Sequence, residues 1–155
     1  MRLFLPAFTA RKTGKSLFIA LLTLLPVFSF SCSKRPAYPT PPVSGGSVRI
    51  KVSALAGDVP SFFTVMKDGK QIDFFVVRTG NEVQSYFNAC ARCGPKKLGY
   101  YFQNGRIYCR ACGVSYAPGN LKGIGSCYPL PLKGALSGGY YLIPIQAVYA
   151  GGAYF

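Results

Sequence analysis

Apolar and polar residues alternate with period two where the expected domain begins. In SVRIKVSAL, Val48, Ile50 and Val52 are separated by Arg49 and Lys51, the spacing of a strand with one buried face. SFFTVM and QIDFFVVR are apolar, aromatic and β-branched runs on either side of Lys67-Asp68-Gly69-Lys70, and Asp-Gly is the turn chemistry of a tight hairpin. NEVQSYFNA continues as a further strand. LGYYFQ and RIYC flank Asn104-Gly105, which suits a type I′ turn. Tyr140 to Ile145 predicts a last strand, confined to an edge or a bulge by Pro144. Ile145 to Ala150 suits either a strand or one helical turn. The class is mainly β, built of antiparallel hairpins, with minor helix near the C-terminus.

The N-terminal pattern is different. MRLFLPAFTARKTGKS holds four basic residues and no acid, and Leu17 to Phe30 is a fourteen-residue apolar run interrupted by Pro26. A membrane-spanning helix needs about twenty apolar residues, so residues 1–31 read as a signal peptide rather than a retained anchor. Cys32 follows a small residue, as at a lipoprotein cleavage site, although Ser29 stands where that pattern prefers leucine. Cys32 is the expected lipidation position, and secretion without a lipid is the alternative. Residues 32–46 are rich in Pro, Ser and Gly and predict a semi-rigid tether, roughly 40 Å long at about 3.1 Å per residue. Residues 47–155 form the expected domain.

Composition narrows the chemistry. The chain has no histidine, and its four acids are Asp58, Asp68, Asp73 and Glu82. The three aspartates are expected in or beside turns. General acid–base catalysis near neutral pH draws on histidine or on closely held carboxylates, so a hydrolase is disfavoured. Haem attachment through C-x-x-C-H and histidine-ligated Rieske-type clusters are excluded. Cleavage before Cys32 removes four of the eighteen basic residues and none of the four acids, leaving +10.

The strongest signal is CARCGPKKLGYYFQNGRIYCRACG, which carries two C-x-x-C-G knuckles separated by fifteen residues. Each knuckle turns two thiolates toward one ion, and two knuckles can close a tetrahedral S₄ site. Gly94 and Gly113 are expected to permit the tight turns whose N–H groups point at sulfur. Cys90, Cys93, Cys109 and Cys112 are the expected ligands, in a zinc-ribbon- or rubredoxin-like arrangement. Arg92, Lys96, Lys97, Arg106, Arg110 and Lys122 surround them with no intervening acid, which favours thiolates of any use. Oxidation to disulfides is the bland alternative for an exported chain. A thioredoxin-like site would need a C-x-x-C opening a helix, and these lie beside hairpins. Cys127 is left over by a closed S₄ site and is expected to be a fifth ligand, a resolving thiol or a small buried residue.

SYFNACARCGPKKLGYYFQNGRIYCRACGVSY, IGSCYPLPL and the closing GGAYF together resemble the FtrD-like family of membrane-associated bacterial iron–sulfur proteins. The family's knuckle cysteines fall on Cys90, Cys93, Cys109 and Cys112, its glycine–tyrosine on Gly99 and Tyr100, and its later cysteine on Cys127. Tyr128 departs from the family, which usually has asparagine there, and a signal peptide stands where relatives often have several membrane helices. The resemblance implies an extracytoplasmic protein holding iron or an iron–sulfur cluster, working in envelope electron transfer or iron uptake beside redox or iron-transport partners. It is then a carrier rather than an enzyme. A structural zinc staple and a thiol–disulfide oxidoreductase are the alternatives; export argues against nucleic acid as a partner.

Overall fold

The computed structural model describes residues 36–122 and 127–155. The expected signal peptide and Cys32 lie outside the described residues. Among the described residues the strands are β1 (Val43–Ser44), β2 (Ser47–Lys51), β3 (Ser61–Lys67), β4 (Lys70–Thr79), β5 (Glu82–Cys90), β6 (Tyr100–Gln103), β7 (Arg106–Cys109), β8 (Ser115–Tyr116), β9 (Pro129–Leu132), β10 (Ala135–Ser137) and β11 (Tyr140–Pro144). They pair antiparallel into three sheets, ordered β1-β2-β11-β10, β3-β4-β5-β9 and β6-β7-β8. One short helix, α1 (Ile145–Ala150), follows β11. The fold is mainly antiparallel β with a C-terminal helix, as the hydrophobic pattern predicts.

Local turn chemistry accounts for the hairpins. Asp68 and Gly69 have φ of 50° and 73°, and Asn104 and Gly105 have 49° and 72°, the doubly left-handed geometry of type I′ turns. The β3–β4 and β6–β7 registers close directly on these pairs. Gly45-Gly46 and Gly138-Gly139 adopt the same conformation and make two further hairpins, β1–β2 and β10–β11.

β4 organises the interior. Ile72, Phe74 and Val76 enter one apolar core with Val48, Ile50, Phe87, Ile143 and Val148. Phe75 and Val77 face the other way, into a second core with Tyr100, Ile107, Tyr116, Leu121 and three cysteines. A strand buried on both faces reads as a continuous apolar run, which explains why QIDFFVVR lacks alternation. Fully burying one such side chain contributes about 1.5–3 kcal/mol, and Phe74, Phe75 and Val76 are all at 0% exposure.

Three expectations are corrected. Residues 36–46 do not behave as a tether throughout. Tyr38 stacks on Phe62 with ring centroids 5.0 Å apart, and its N–H donates to Thr64 Oγ1 at 3.1 Å. Thr64 N–H donates to the Pro39 carbonyl at 3.2 Å, and Arg49 N–H to that of Pro42 at 2.9 Å. The prolines supply apolar surface and carbonyl acceptors, so the segment docks. Asp73 is not beside a turn but buried within β4, accepting from Thr64 Oγ1 at 2.7 Å and Gln71 Nε2 at 2.9 Å. Finally, β11 lies inside its sheet, between β2 and β10. It tolerates Pro144 because the proline is its last residue, where the chain turns into α1.

Candidate metal centre

Two knuckles and one returning segment build the site. The first knuckle leaves the end of β5 at Cys90 and passes Cys93 into a 3₁₀ turn, Gly94–Lys96. The second leaves β7 at Cys109 and turns through Cys112 to Gly113, whose N–H returns to the Cys109 carbonyl at 2.9 Å. Arg110 N–H donates to the Gly99 carbonyl at 3.0 Å and Ala91 N–H to the Tyr128 carbonyl at 3.0 Å. These bonds tie the knuckles to each other and to the segment carrying Cys127. The glycine expectation holds only in part. Gly113 is left-handed at φ 73°, but in the first knuckle that conformation falls on Lys97, at 51°, and not on Gly94.

Five cysteines converge, and the tightest set is not the one that spacing suggests. The sulfurs of Cys90, Cys93, Cys109 and Cys127 all lie within 4.8 Å of one another. Cys112 stands beside this group, its Sγ 3.0 Å from Cys127 Sγ, while Cys90 and Cys127 are 3.4 Å apart. All five are free thiols; a disulfide would bring two sulfurs to about 2.05 Å. Cys90, Cys109 and Cys127 are buried, Cys93 is half-buried and Cys112 is exposed. Cys127 thus acts inside the constellation, which linear spacing does not reveal because its position depends on how β9 returns beside β5.

The electrostatics describe sulfurs competing for charge. Burial pushes Cys90 up, but the neighbouring Tyr100 hydroxyl, the Cys93 N–H, the Cys127 thiol and the Arg92 N–H outweigh it and bring the thiol down to about 7. Burial and the sulfurs of Cys112 and Cys90 push Cys93 up to about 12. Burial also raises Cys109 and Cys127. Cys112 is lowered, first by its contact with Cys127 and then by the Val114 N–H. The Cys93 N–H points at the Cys90 sulfur, 3.5 Å away, as the knuckle pattern predicts.

The surroundings were only partly legible in the motif. Tyr100 is fully buried, and its hydroxyl finds no partner at ordinary hydrogen-bond distance yet acts on Cys90. Tyr100 N–H donates to Asn88 Oδ1 at 2.6 Å. Asn88 lies two residues before Cys90 on β5, so strand period alone would have placed both on one face. Tyr116 donates its hydroxyl to the Cys127 carbonyl; no sequence motif marks it. Tyr100 and Phe102 pack in the site's core, whereas Tyr101 and Tyr108 stack on each other across the hairpin, centroids 5.3 Å apart.

The donor set passes a test of fit. Around one ion with metal–sulfur bonds of about 2.3 Å, a tetrahedron has edges of about 3.8 Å, and four sulfurs within 4.8 Å of one another need little movement to reach it. The unpartnered Tyr100 hydroxyl is a ready donor to a charged sulfur.

Residues 55–155 match the family described as membrane iron-sulfur containing protein FtrD-like. The chain belongs to the FtrD-like family. Its clustered cysteines and the description of the FtrD-like family fit an iron or iron–sulfur cofactor. No curated protein matches the chain. Among solved structures, the ferredoxin of carbazole 1,9a-dioxygenase from Nocardioides aromaticivorans IC177 is similar over 63% of this chain and 95% of its own, at 19% identity and a TM-score of 0.41. The FtrD-like family is membrane-associated; among the described residues no helix is long and apolar enough to cross a membrane.

Proposed function

We propose that this chain is an extracytoplasmic electron carrier of the cell envelope, whose iron or iron–sulfur centre is ligated by Cys90, Cys93, Cys109 and Cys127. The observation that carries the reading is the convergence of these four sulfurs within 4.8 Å of one another. Bound iron supplies one-electron chemistry. The chain's own residues supply the rest. The thiolates set the charge of the site, and Phe75, Tyr100 and Phe102 keep water from its inner side. The buried Tyr100 hydroxyl, which has no other partner among the described residues, is available to donate to Cys90, and a donor to a ligating sulfur favours the reduced, more negative state. The exposed Cys112 edge, flanked by Arg92 and Arg110, is where a redox or iron-transport partner approaches.

Residues 1–31 are proposed as the signal peptide and Cys32 as the lipid anchor on the outer side of the membrane. Residues 47–155 carry the function, and nucleic acid is not a partner.

Iron, zinc and acid-labile sulfide per chain, measured on protein purified without oxygen, test the reading. Iron with a sulfur-to-iron charge-transfer spectrum and a reversible one-electron wave is expected, and sulfide content separates a cluster from a single ion. Zinc alone, without colour, would make the site a structural staple and end the electron-carrier reading. Cys109→Ser is expected to abolish loading; a fully loaded Cys109→Ser protein would sink the ligand assignment.

A further inference from the structure

Five sulfurs gather where a tetrahedral centre employs four. The surplus one, Cys112, falls outside the set of mutual neighbours, is exposed, and lies 3.0 Å from the buried Cys127 sulfur. We propose that Cys112 is a thiol–disulfide exchange site with Cys127 as its resolving partner, and that its substrate is a low-molecular-weight disulfide. The inference rests on the ligand set proposed above.

Accessibility decides which sulfur reacts first. Cys90, Cys109 and Cys127 are 3%, 1% and 3% exposed, so an external disulfide cannot reach them in the in-line geometry that exchange requires. Cys112 sits on the solvent side of the second knuckle. Having lost its proton to solvent, its sulfur attacks one sulfur of the external disulfide. That S–S bond breaks, a mixed disulfide forms on Cys112, and one thiolate leaves. The Cys127 sulfur then attacks Cys112 Sγ, the mixed bond breaks and the second thiolate leaves. Two electrons pass from the cysteine pair to the external disulfide, which departs as two thiols.

Distance decides the partner. Closing 3.0 Å to a bond needs about 1 Å of movement. The other close pair, Cys90 and Cys127 at 3.4 Å, is buried at both ends and offers no point of attack. The new bridge withdraws Cys127 from the set of four, leaving three sulfurs. Exchange at the surface is thereby converted into opening of the centre.

The test uses the metal-loaded chain under anaerobic conditions with glutathione disulfide as the probe. Trypsin cleavage after Arg92, Lys96, Arg106, Arg110, Lys122 and Lys133 puts each of the five cysteines on its own peptide, so any bridge is read directly by mass spectrometry. Expected is a Cys112–Cys127 bridge that accumulates in step with metal captured by a coloured chelator. Cys112→Ser is expected to load like the unmodified chain and to release metal at least about tenfold more slowly, since Cys90, Cys109 and Cys127 are buried and Cys93 is half-buried. A bridge between any other pair, no bridge at all, or release from Cys112→Ser at the unmodified rate would overturn the proposal. So would failure of Cys112→Ser to load, because Cys112 would then be a ligand. The ligand reading fails separately, through a loaded Cys109→Ser protein.

Discussion

Gly99 shows how one residue fixes the centre. Its φ is +67°, and a Cβ there would meet Asn88 Oδ1 at 2.6 Å and the Asn88 carbonyl at 2.7 Å. The same Oδ1 accepts the Tyr100 N–H, so a side chain at position 99 would push apart β5 and the start of β6 just where Tyr100 approaches Cys90. Gly99→Ala is expected to cost at least about 2 kcal/mol, seen as a lower urea midpoint, with weakened metal retention; unchanged stability would show that the strands can separate freely. Protons act on the same sulfurs. Ligating thiolates must be deprotonated, so the loaded state binds fewer protons than the unloaded one, and acid favours release. Metal captured by a chelator should therefore rise as pH falls. Retention independent of pH would contradict thiolate ligation.

At the scale of elements, β4 couples two cores that have different duties. Phe74 lies in the core between the first two sheets and Phe75 in the core behind the cysteines, both at 0% exposure. Phe74→Ala and Phe75→Ala should each cost about 3–5 kcal/mol. They should part company in metal release at a denaturant concentration where both remain folded. Phe75→Ala is expected to release faster, because Phe75 packs edge-on against Tyr100 with centroids 6.2 Å apart. Equal release rates would mean that the core behind the cysteines does not support them. The periodicity of β2 was legible because Val48 and Ile50 form its one buried face. β4 was legible as a strand through its hairpin turn and its β-branched and aromatic residues. Its two-faced burial was not, because that depends on which sheet packs on each side.

At the scale of the molecule, positive charge gathers around the knuckles. Arg92, Lys96, Lys97 and Arg110 are exposed around the knuckles, and no acid lies between Cys90 and Cys127. Arg110 is held over the Tyr101 ring at 4.9 Å. A cationic rim attracts anions and is screened by salt over about 8–10 Å. The iron-loaded chain should therefore be oxidised by ferricyanide at a rate that falls with ionic strength, and by cationic hexaammineruthenium at a rate that rises. Replacing Arg92 and Arg110 together by glutamate should weaken or invert both trends. Rates indifferent to salt would place electron exit away from this rim.

The sequence alone determined the β class, the Asp-Gly and Asn-Gly turns, the two knuckles and the thiolate chemistry, because strand period, turn conformation and C-x-x-C reach are all settled within a few residues. It also carried the family, through the combined cysteine, glycine and tyrosine spacing. Tertiary structure decided the rest. That Cys127 enters the tight group and Cys112 is left at its edge depends on β9 pairing with β5, more than forty positions apart at Ser85 and Leu132. That Pro36 to Gly46 docks rather than tethers depends on Phe62, Thr64 and Gln71 being presented together by β3 and β4. Linear spacing reports which cysteines can converge, and only packing orders five sulfurs into four neighbours and one exposed thiol.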